Sequence, residues 1–302
     1  MPELPDIEAY LAALRRRVVG RRVVSIRLRS VFLVRSISPP LSDLEGMLVR
    51  DVWRIGKRIV IAFESDGEER FLILHLMISG RLQWGKRGAG LPGKRGLCAF
   101  DFDDGTLLLT EASKKKRASL HVVRSRAQVD DHDPGGVEVL SAGVAEFATV
   151  VRSINHTLKR SLTDPHLFAG IGGAYADEIM HRAHLSPIVW TQRLRDDEIE
   201  RLFRAAQEVL LEWTHRIKEE TGDGWPIVTA FRKEMAVHGR YREPCPVCGD
   251  PVQRIVYAEN ETNYCATCQT GGRILADRSL SRLLKDDWPR TIDELESHRR
   301  GG

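Results

Sequence analysis

The sequence predicts an α+β multidomain protein: an N-terminal helix running into an antiparallel β-sandwich or barrel, a helical middle region, and a small C-terminal four-cysteine module. Three observations carry this. Leu4, Ile7, Leu11, Leu14 and Val18 fall on one helical stripe, and Gly20 reads as its stop. From about residue 21 to 125, short β-type runs alternate with Gly- or Asp-rich breaks. Four of the five cysteines sit in two CxxC pairs near the C-terminus.

The expected strands are VVSIRLRSVFLV, RIVIAFE, FLILHLMIS, LCAFDFDDGTLLLT and SLHVV, with a turn at Asp103-Asp104-Gly105. The segment 126–136 (RAQVDDHDPGG) is polar and turn-rich and reads as a domain boundary. From about 144 to 236 the pattern is helical. Ser186-Pro187 and Asp196-Asp197 read as helix starts, and Thr221-Gly222-Asp223-Gly224 as a loop. Cys245-x2-Cys248 and Cys265-x2-Cys268 are separated by sixteen residues, and Val252 to Tyr257 between them reads as a strand with Asn260 near a turn. The tail beyond has alternating charge, and its first part suits one amphipathic helix before Pro289. The expected domains are 1–135, 136–237 and 238–272, with a tail over 273–302.

The bulk properties exclude some classes. With 302 residues the chain is long enough for two ordinary domains and an appendage. It is 42% hydrophobic and 29% charged, as a globular protein is, and no stretch approaches the roughly 20 apolar residues of a membrane span. The N-terminus lacks the apolar run of a signal peptide, so a cytoplasmic location is expected. The net charge of +4 is mild. Its distribution says more: Arg15-Arg16-Arg17, Lys114 to Arg117 and Arg240/Arg242 are local basic clusters, each either a solvated face or a surface for nucleic acid.

Two features carry chemistry. Each CxxC turns two thiolates toward one ion, and two such knuckles complete a tetrahedral site. Cys245, Cys248, Cys265 and Cys268 therefore predict one structural zinc ion, closed to substrate because no coordination position is open. Cys98, in the apolar run LCAF, reads as a core residue. The second feature is the start Met1-Pro2-Glu3-Leu4-Pro5. A small second residue favours removal of the initiator Met, leaving a secondary amine on Pro2 at the head of a helix. An α-amine titrates near ~8, and the helix dipole and nearby cations disfavour its protonated form. Such an amine can attack an anomeric carbon and form an iminium, with Glu3 positioned to protonate the sugar ring oxygen. Taken alone, a proline there more often shapes the start of a helix.

The start Pro2-Glu3-Leu4-Pro5-Asp6-Ile7-Glu8, the segment Gly56-Lys57-Arg58, the stretch from Gly170 to Glu178 (GIGGAYADE) and the terminal four-cysteine finger occur in this order. Together they resemble the formamidopyrimidine-DNA glycosylase / endonuclease VIII family over roughly residues 2–270. The resemblance implies an N-terminal antiparallel β-sandwich with a catalytic N-terminal helix, a helix–two-turn–helix domain and a zinc finger, with damaged double-stranded DNA gripped between domains. It implies a bifunctional glycosylase and AP lyase acting in base-excision repair, with base flipping, glycosidic cleavage through Pro2 and strand scission by elimination of the phosphates from the Schiff base.

Carried over residue by residue, Pro2 is the nucleophile and Glu3 the proton donor. Lys57, read as lying in a strand after Gly56, contacts the phosphate near the lesion. Lys159 faces the sugar-phosphate, Gly173 and Tyr175 belong to the phosphate-binding turn, and Glu8 helps position the site. Ile78, Lys115 and Asn260 occupy slots that meet DNA. The chain also departs from the family. Gly173 stands where Asn is usual, Asn260 where the finger offers Arg, and Ile78 where Met fills the gap left by the flipped base. The loop from Thr110 to Leu120 is lysine-rich and lacks an aromatic wedge, and the chain continues for more than thirty residues past Cys268. These departures imply altered lesion preference on an unchanged cutting mechanism. A non-catalytic damage-binding protein on the same fold, and a zinc protein unrelated to repair, are the competing readings. No cofactor beyond zinc is implied, no membrane contact, and a monomer is expected.

Overall fold

The computed structural model describes residues 1–229, 231–257, 260–275, 290–292 and 294. The chain divides into two compact units, one formed by Met1–Gly136 with Glu212–Thr229 and the other by the remaining described residues.

The first unit opens with α1 (Leu4–Val18) and continues through β1 (Ser25–Leu28), β2 (Leu48–Ile55), β3 (Arg58–Ser65), β4 (Glu68–His75), β5 (Gly80–Gly85), β6 (Gly96–Asp101), β7 (Thr106–Glu111) and β8 (Ser119–Val123). These strands form two four-stranded antiparallel sheets, in orders β1-β6-β7-β5 and β2-β3-β4-β8. Alternate side chains of a strand face opposite sides. In β3, Ile59, Ile61 and Phe63 therefore join the main core with Leu72 and Leu74 of β4 and with Leu97, Phe100 and Leu107 of the other sheet. The stripe Ile7, Leu11, Leu14 and Val18 of α1 enters the same core. At about 1.5–3 kcal/mol for each fully buried aliphatic side chain, this burial is what fixes the start of the helix against the sheets.

The opposite face of β3 and β4, with Val60, Ala62, Phe71 and Ile73, is covered by Val129. That residue lies on α2 (Arg126–Asp130), inside the segment expected to be a polar linker. Ser125 accounts for the correction: its hydroxyl caps the backbone N–H of Gln128, and Val129 then meets an apolar patch. The long first β-type run is also shortened. Only Ser25–Leu28 pairs with β6, and Val31–Leu33 is a 3-10 turn.

The second unit contains α3 (Val144–Ser153), α4 (Leu158–Thr163), α5 (Gly173–Arg182) and the first part of α6 (Asp196–Thr221). It also holds β9 (Gln253–Tyr257), β10 (Asn260–Tyr264) and α7 (Ala266–Thr270). Phe147 anchors its helical core, 4.9 Å from Phe168 and 5.3 Å from Phe203 between ring centroids. The helix start at Asp196 and the loop after Thr221 agree with the sequence pattern. Ser186-Pro187 begins no helix. The Pro187 and Val189 carbonyls accept from the Lys159 and Leu158 N–H groups of α4, at 3.1 and 2.8 Å, and so serve a neighbour. The helix expected before Pro289 lies outside the described residues. Among the described residues, no helix is long and apolar enough to cross a membrane.

Candidate active site and metal centre

Pro2 and Glu3 are buried at the head of α1. Glu3 is extended (φ −115°, ψ −176°), and its carbonyl accepts the first helical bond, from Ile7 at 2.9 Å. Its own N–H donates to Asp6 Oδ2 at 3.0 Å. Asp6 thus fixes the backbone of the residue expected to donate a proton. The i, i+3 spacing of a capping box was the available signal.

The α-amine preceding Pro2 is held below its ordinary value of 8.0, first by burial and then by the Arg81 and Lys57 charges, with Glu3 and Asp6 opposing. Lys57 is itself pushed down by burial, offset in part by Glu3. Lys57 does not lie in a strand. It sits at the β2–β3 turn, where Ile55 pairs with Arg58 and Gly56 takes φ 54°. A two-residue turn needs that left-handed conformation, and it aims Lys57 off the end of the sheet. Arg81, which the sequence gave no reason to single out, donates to the carbonyls of Gly80 (2.7 Å), Val228 (2.9 Å) and Ile78 (3.2 Å). Glu8 accepts from Arg54 Nε at 2.9 Å and lies 3.6 Å from Lys218 Nζ, joining α1 to β2 and to the end of α6.

Ile78 is 51% exposed at the tip of the turn before β5. Met77 beside it takes φ 53°, and Gly80 is required by close approach: an added Cβ would stand 2.2 Å from the Leu76 carbonyl oxygen. A buried carboxylate ties this turn to the lysine-rich loop. Glu111 accepts from the N–H groups of Arg117 (3.0 Å) and Ala118 (3.2 Å) and from Ser79 Oγ (3.3 Å). The Lys116 ammonium donates to the Glu111 carbonyl, while Lys114 and Lys115 point to solvent. Nothing local in the sequence marks Glu111 as the link.

In the second unit, Gly173 opens α5, with nothing within 4 Å of where a Cβ would stand. Lys159 is turned inward, donating to Asp177 Oδ1 at 2.5 Å and to the Gly173 carbonyl at 2.8 Å. Tyr175 is corrected: at 2% exposure it is a core residue, because the apolar side of α5 carries it inward. Asp177, fully buried, also meets His238 Nδ1 at 2.9 Å and accepts from the Asn263 N–H at 3.2 Å. Glu178 accepts from three successive N–H groups, Ala236, Val237 and His238, at 2.7, 2.9 and 2.9 Å. His238 and Arg240 therefore pack the linker, Arg240 pairing with Glu243 at 2.8 Å. The Asn260 side chain lies outside the described residues.

The four paired cysteines come together as expected, their sulfurs all within 4.8 Å of one another. Cys245 and Cys268 are 3.9 Å apart and Cys248 and Cys265 3.4 Å, against roughly 3.8 Å for the edge of a tetrahedron with Zn–S near 2.3 Å. The donor set fits one structural zinc ion. Two histidines of the α5 end reach this centre: His181 Nε2 lies 3.3 Å from Cys245 Sγ, and His184 Nδ1 lies 3.3 Å from the Cys268 carbonyl oxygen. Cys98 is a core residue, its thiol pushed by burial up to about 12.

With this geometry in view, the chain matches three domain families in order. They are the formamidopyrimidine-DNA glycosylase N-terminal domain over residues 1–119, the formamidopyrimidine-DNA glycosylase H2TH domain over 136–221, and the zinc finger found in FPG and IleRS over 242–271. The formamidopyrimidine-DNA glycosylase of Thermus thermophilus is 33% identical over 284 residues, covering 90% of this chain and 100% of the relative. The crystal structure of MutM (FPG) protein from Thermus thermophilus is 30% identical with TM-score 0.73, over 89% of this chain and 98% of that one. An inhibited Lactococcus lactis Fpg in complex with DNA containing N7-benzyl-Fapy-dG is 25% identical with TM-score 0.79, over 89% and 100%. A buried N-terminal catalytic candidate, an H2TH domain and a four-cysteine finger define the class, the DNA glycosylases of base-excision repair. The chain belongs to the formamidopyrimidine-DNA glycosylase family.

Proposed function

We propose that this chain is a bifunctional DNA glycosylase and AP lyase acting on damaged double-stranded DNA, with Pro2 as nucleophile once Met1 is removed. One observation carries the reading: Pro2 and Glu3 are buried side by side at the head of α1, and the Met1 amine just before them is held below its ordinary value by burial and by the Arg81 and Lys57 charges. The amine nitrogen attacks C1′ of the damaged nucleotide as the N-glycosidic bond breaks and the base departs with the bond electrons. Glu3 protonates the ring oxygen, the ring opens, and an iminium remains. Loss of a C2′ proton then expels the 3′-phosphate. Lys57 holds a phosphate near the lesion, Ile78 fills the space the base leaves, and Lys115 adds sequence-independent attraction for the backbone. Gly173 offers backbone N–H at a helix start, and Lys159 supports that start from within. The reading extends to three domains over 1–135, 136–237 and 238–272, a monomer, and a cytoplasmic place on the nucleoid.

Borohydride trapping on abasic duplex tests this. Wild type should form a covalent complex, and Pro2→Gly should trap much less. Glu3→Gln should slow excision by roughly 10²–10⁴-fold. Undiminished trapping by Pro2→Gly would remove Pro2 from the mechanism. The replaced probing groups at Ile78, Gly173 and the 111–120 loop support a shifted lesion preference, with slow action on 8-oxoguanine. Cleavage of duplexes carrying 8-oxoguanine, formamidopyrimidine, thymine glycol and a bulky alkylated guanine reads this directly. Fast removal of 8-oxoguanine opposite cytosine would sink it.

A further inference from the structure

The four-cysteine centre has a fifth donor beside it that the CxxC spacing does not account for. His181, in the last turn of α5, lies outside the finger in sequence and is 4% exposed. Its Nε2 stands 3.3 Å from the Sγ of Cys245, a residue only 2% exposed. Among the described residues, no hydrogen bond holds the other ring nitrogen, so the proton of the neutral ring can sit on either side. With the proton on Nε2, His181 donates to the Cys245 thiolate. With the proton on Nδ1, Nε2 carries a lone pair, the form in which histidine binds metal. His184, three residues on, is exposed and turns its Nδ1 to the Cys268 carbonyl oxygen, not to a sulfur.

The end of α5 is fixed to the finger by contacts that do not pass through the sulfurs. Asp177 accepts from the Asn263 N–H of β10 at 3.2 Å. Glu178 takes three N–H groups of the segment leading into the finger. Gln269 of α7 donates its Nε2 to the Leu185 carbonyl, just past α5, at 2.9 Å. Val237 and Val252 pack beside Cys245 and Cys265. His181 therefore stays in place if one sulfur is withdrawn, and Nε2 needs to move no further than 3.3 Å to take the position that the Cys245 sulfur leaves. Zinc accepts nitrogen at about 2.0–2.1 Å and sulfur at about 2.3 Å, and three cysteines with one histidine make a closed structural set.

We propose that His181 is a reserve ligand for the zinc of the finger: when Cys245 no longer supplies a thiolate, Nε2 of His181 takes its position. Thiolates are the donors that oxidants and electrophiles remove, whereas an imidazole persists. Five donors for four positions keep the finger closed after such a loss. His181 acts within the second unit, so this role is independent of the reaction proposed at Pro2.

The test uses the full chain and reads zinc affinity by competition with a chromogenic chelator, as a double-mutant cycle. Cys245→Ala should still hold about one zinc ion per chain. His181→Phe alone should weaken zinc by roughly 10- to 100-fold, the effect of losing a supporting hydrogen bond. Added to Cys245→Ala, His181→Phe should weaken it by more than that, because a ligand is then removed. A histidine that only hydrogen-bonds Cys245 gives the opposite result: with the sulfur gone, His181→Phe has no further effect, and the reserve ligand is overturned. Cobalt(II) in place of zinc supplies a spectroscopic reading. Cys245→Ala should shift the d–d bands to shorter wavelength, as one nitrogen among three thiolates does, and His181→Phe should abolish that spectrum. A Cys245→Ala spectrum that His181→Phe leaves unchanged overturns the assignment. Cys268→Ala removes a sulfur 3.9 Å from that of Cys245 and should bind zinc much more weakly than Cys245→Ala; equal affinity would show that nearness to His181 does not matter, and the role fails. Cys245→Gly, which vacates more room for the ring, repeats the comparison, and thermal melts confirm that the rest of the chain is folded. If neither Cys245 variant holds zinc, His181 is no ligand.

Discussion

In the N-terminal unit, Lys57 and Arg81 crowd a buried amine and press it toward its neutral form, and Arg58 stands among three imidazoles. In the second unit, Lys159, Asp177, Glu178 and His238 close on one another or on backbone N–H groups. Both regions bury charge, which carries a desolvation cost. The first leaves like charges together, an arrangement that costs stability and is relieved by an anion or a substrate. The second satisfies nearly every polar atom around α5, so it makes a rigid support. The contrast separates residues expected to act on DNA from residues that hold the acting groups still.

The largest expected effect breaks the support. Glu178→Ala leaves three N–H groups facing a void, and the loss should be about 3–5 kcal/mol, read as a fall in denaturant midpoint. A loss under about 1 kcal/mol, the size of a surface effect, would show that the carboxylate is not structural. Next comes the zinc centre. His181→Phe keeps the ring volume and removes the nitrogen beside Cys245, so zinc transfer to a chromogenic chelator should speed up by roughly 10- to 100-fold. An unchanged rate would place His181 outside the metal's support.

A smaller effect is expected at the α5 start. Gly173→Asn meets open space, and one added phosphate contact should tighten binding to an abasic-analogue duplex by about 3- to 10-fold. No change would mean that this turn does not meet the backbone. The smallest is a shift in pH dependence at saturating DNA. The Lys57 charge lowers the terminal amine, so Lys57→Gln should raise it. The acid limb of the trapping rate should then move to higher pH. A limb that stays in place, or moves down, would show that Lys57 does not act on the amine.

Legibility followed the range of the forces involved. The stripe on α1, the strand alternation from β2 to β8 and the two cysteine knuckles depend on neighbours a few residues away, and each was readable. Misreadings arose where a distant partner decided. The polar segment 126–136 folds into α2 because a patch on β3 and β4 receives Val129. Ser186-Pro187 starts no helix because α4 takes its carbonyls. Tyr175, one residue of a motif tied to DNA, is inside because the turn of α5 points it there.

By itself the sequence determined the order of parts and the metal, since thiolates spaced as CxxC share an ion by local geometry, and it placed the proposed cutting groups Pro2 and Glu3 side by side. Tertiary structure alone decided which charges meet. Arg81 and Asp6 around the terminus, Glu111 between two loops, and Arg58 among three histidines are pairings set by sheet register and packing. Burial then gives those pairings their electrostatic strength, because a charge taken out of water is felt by its neighbours.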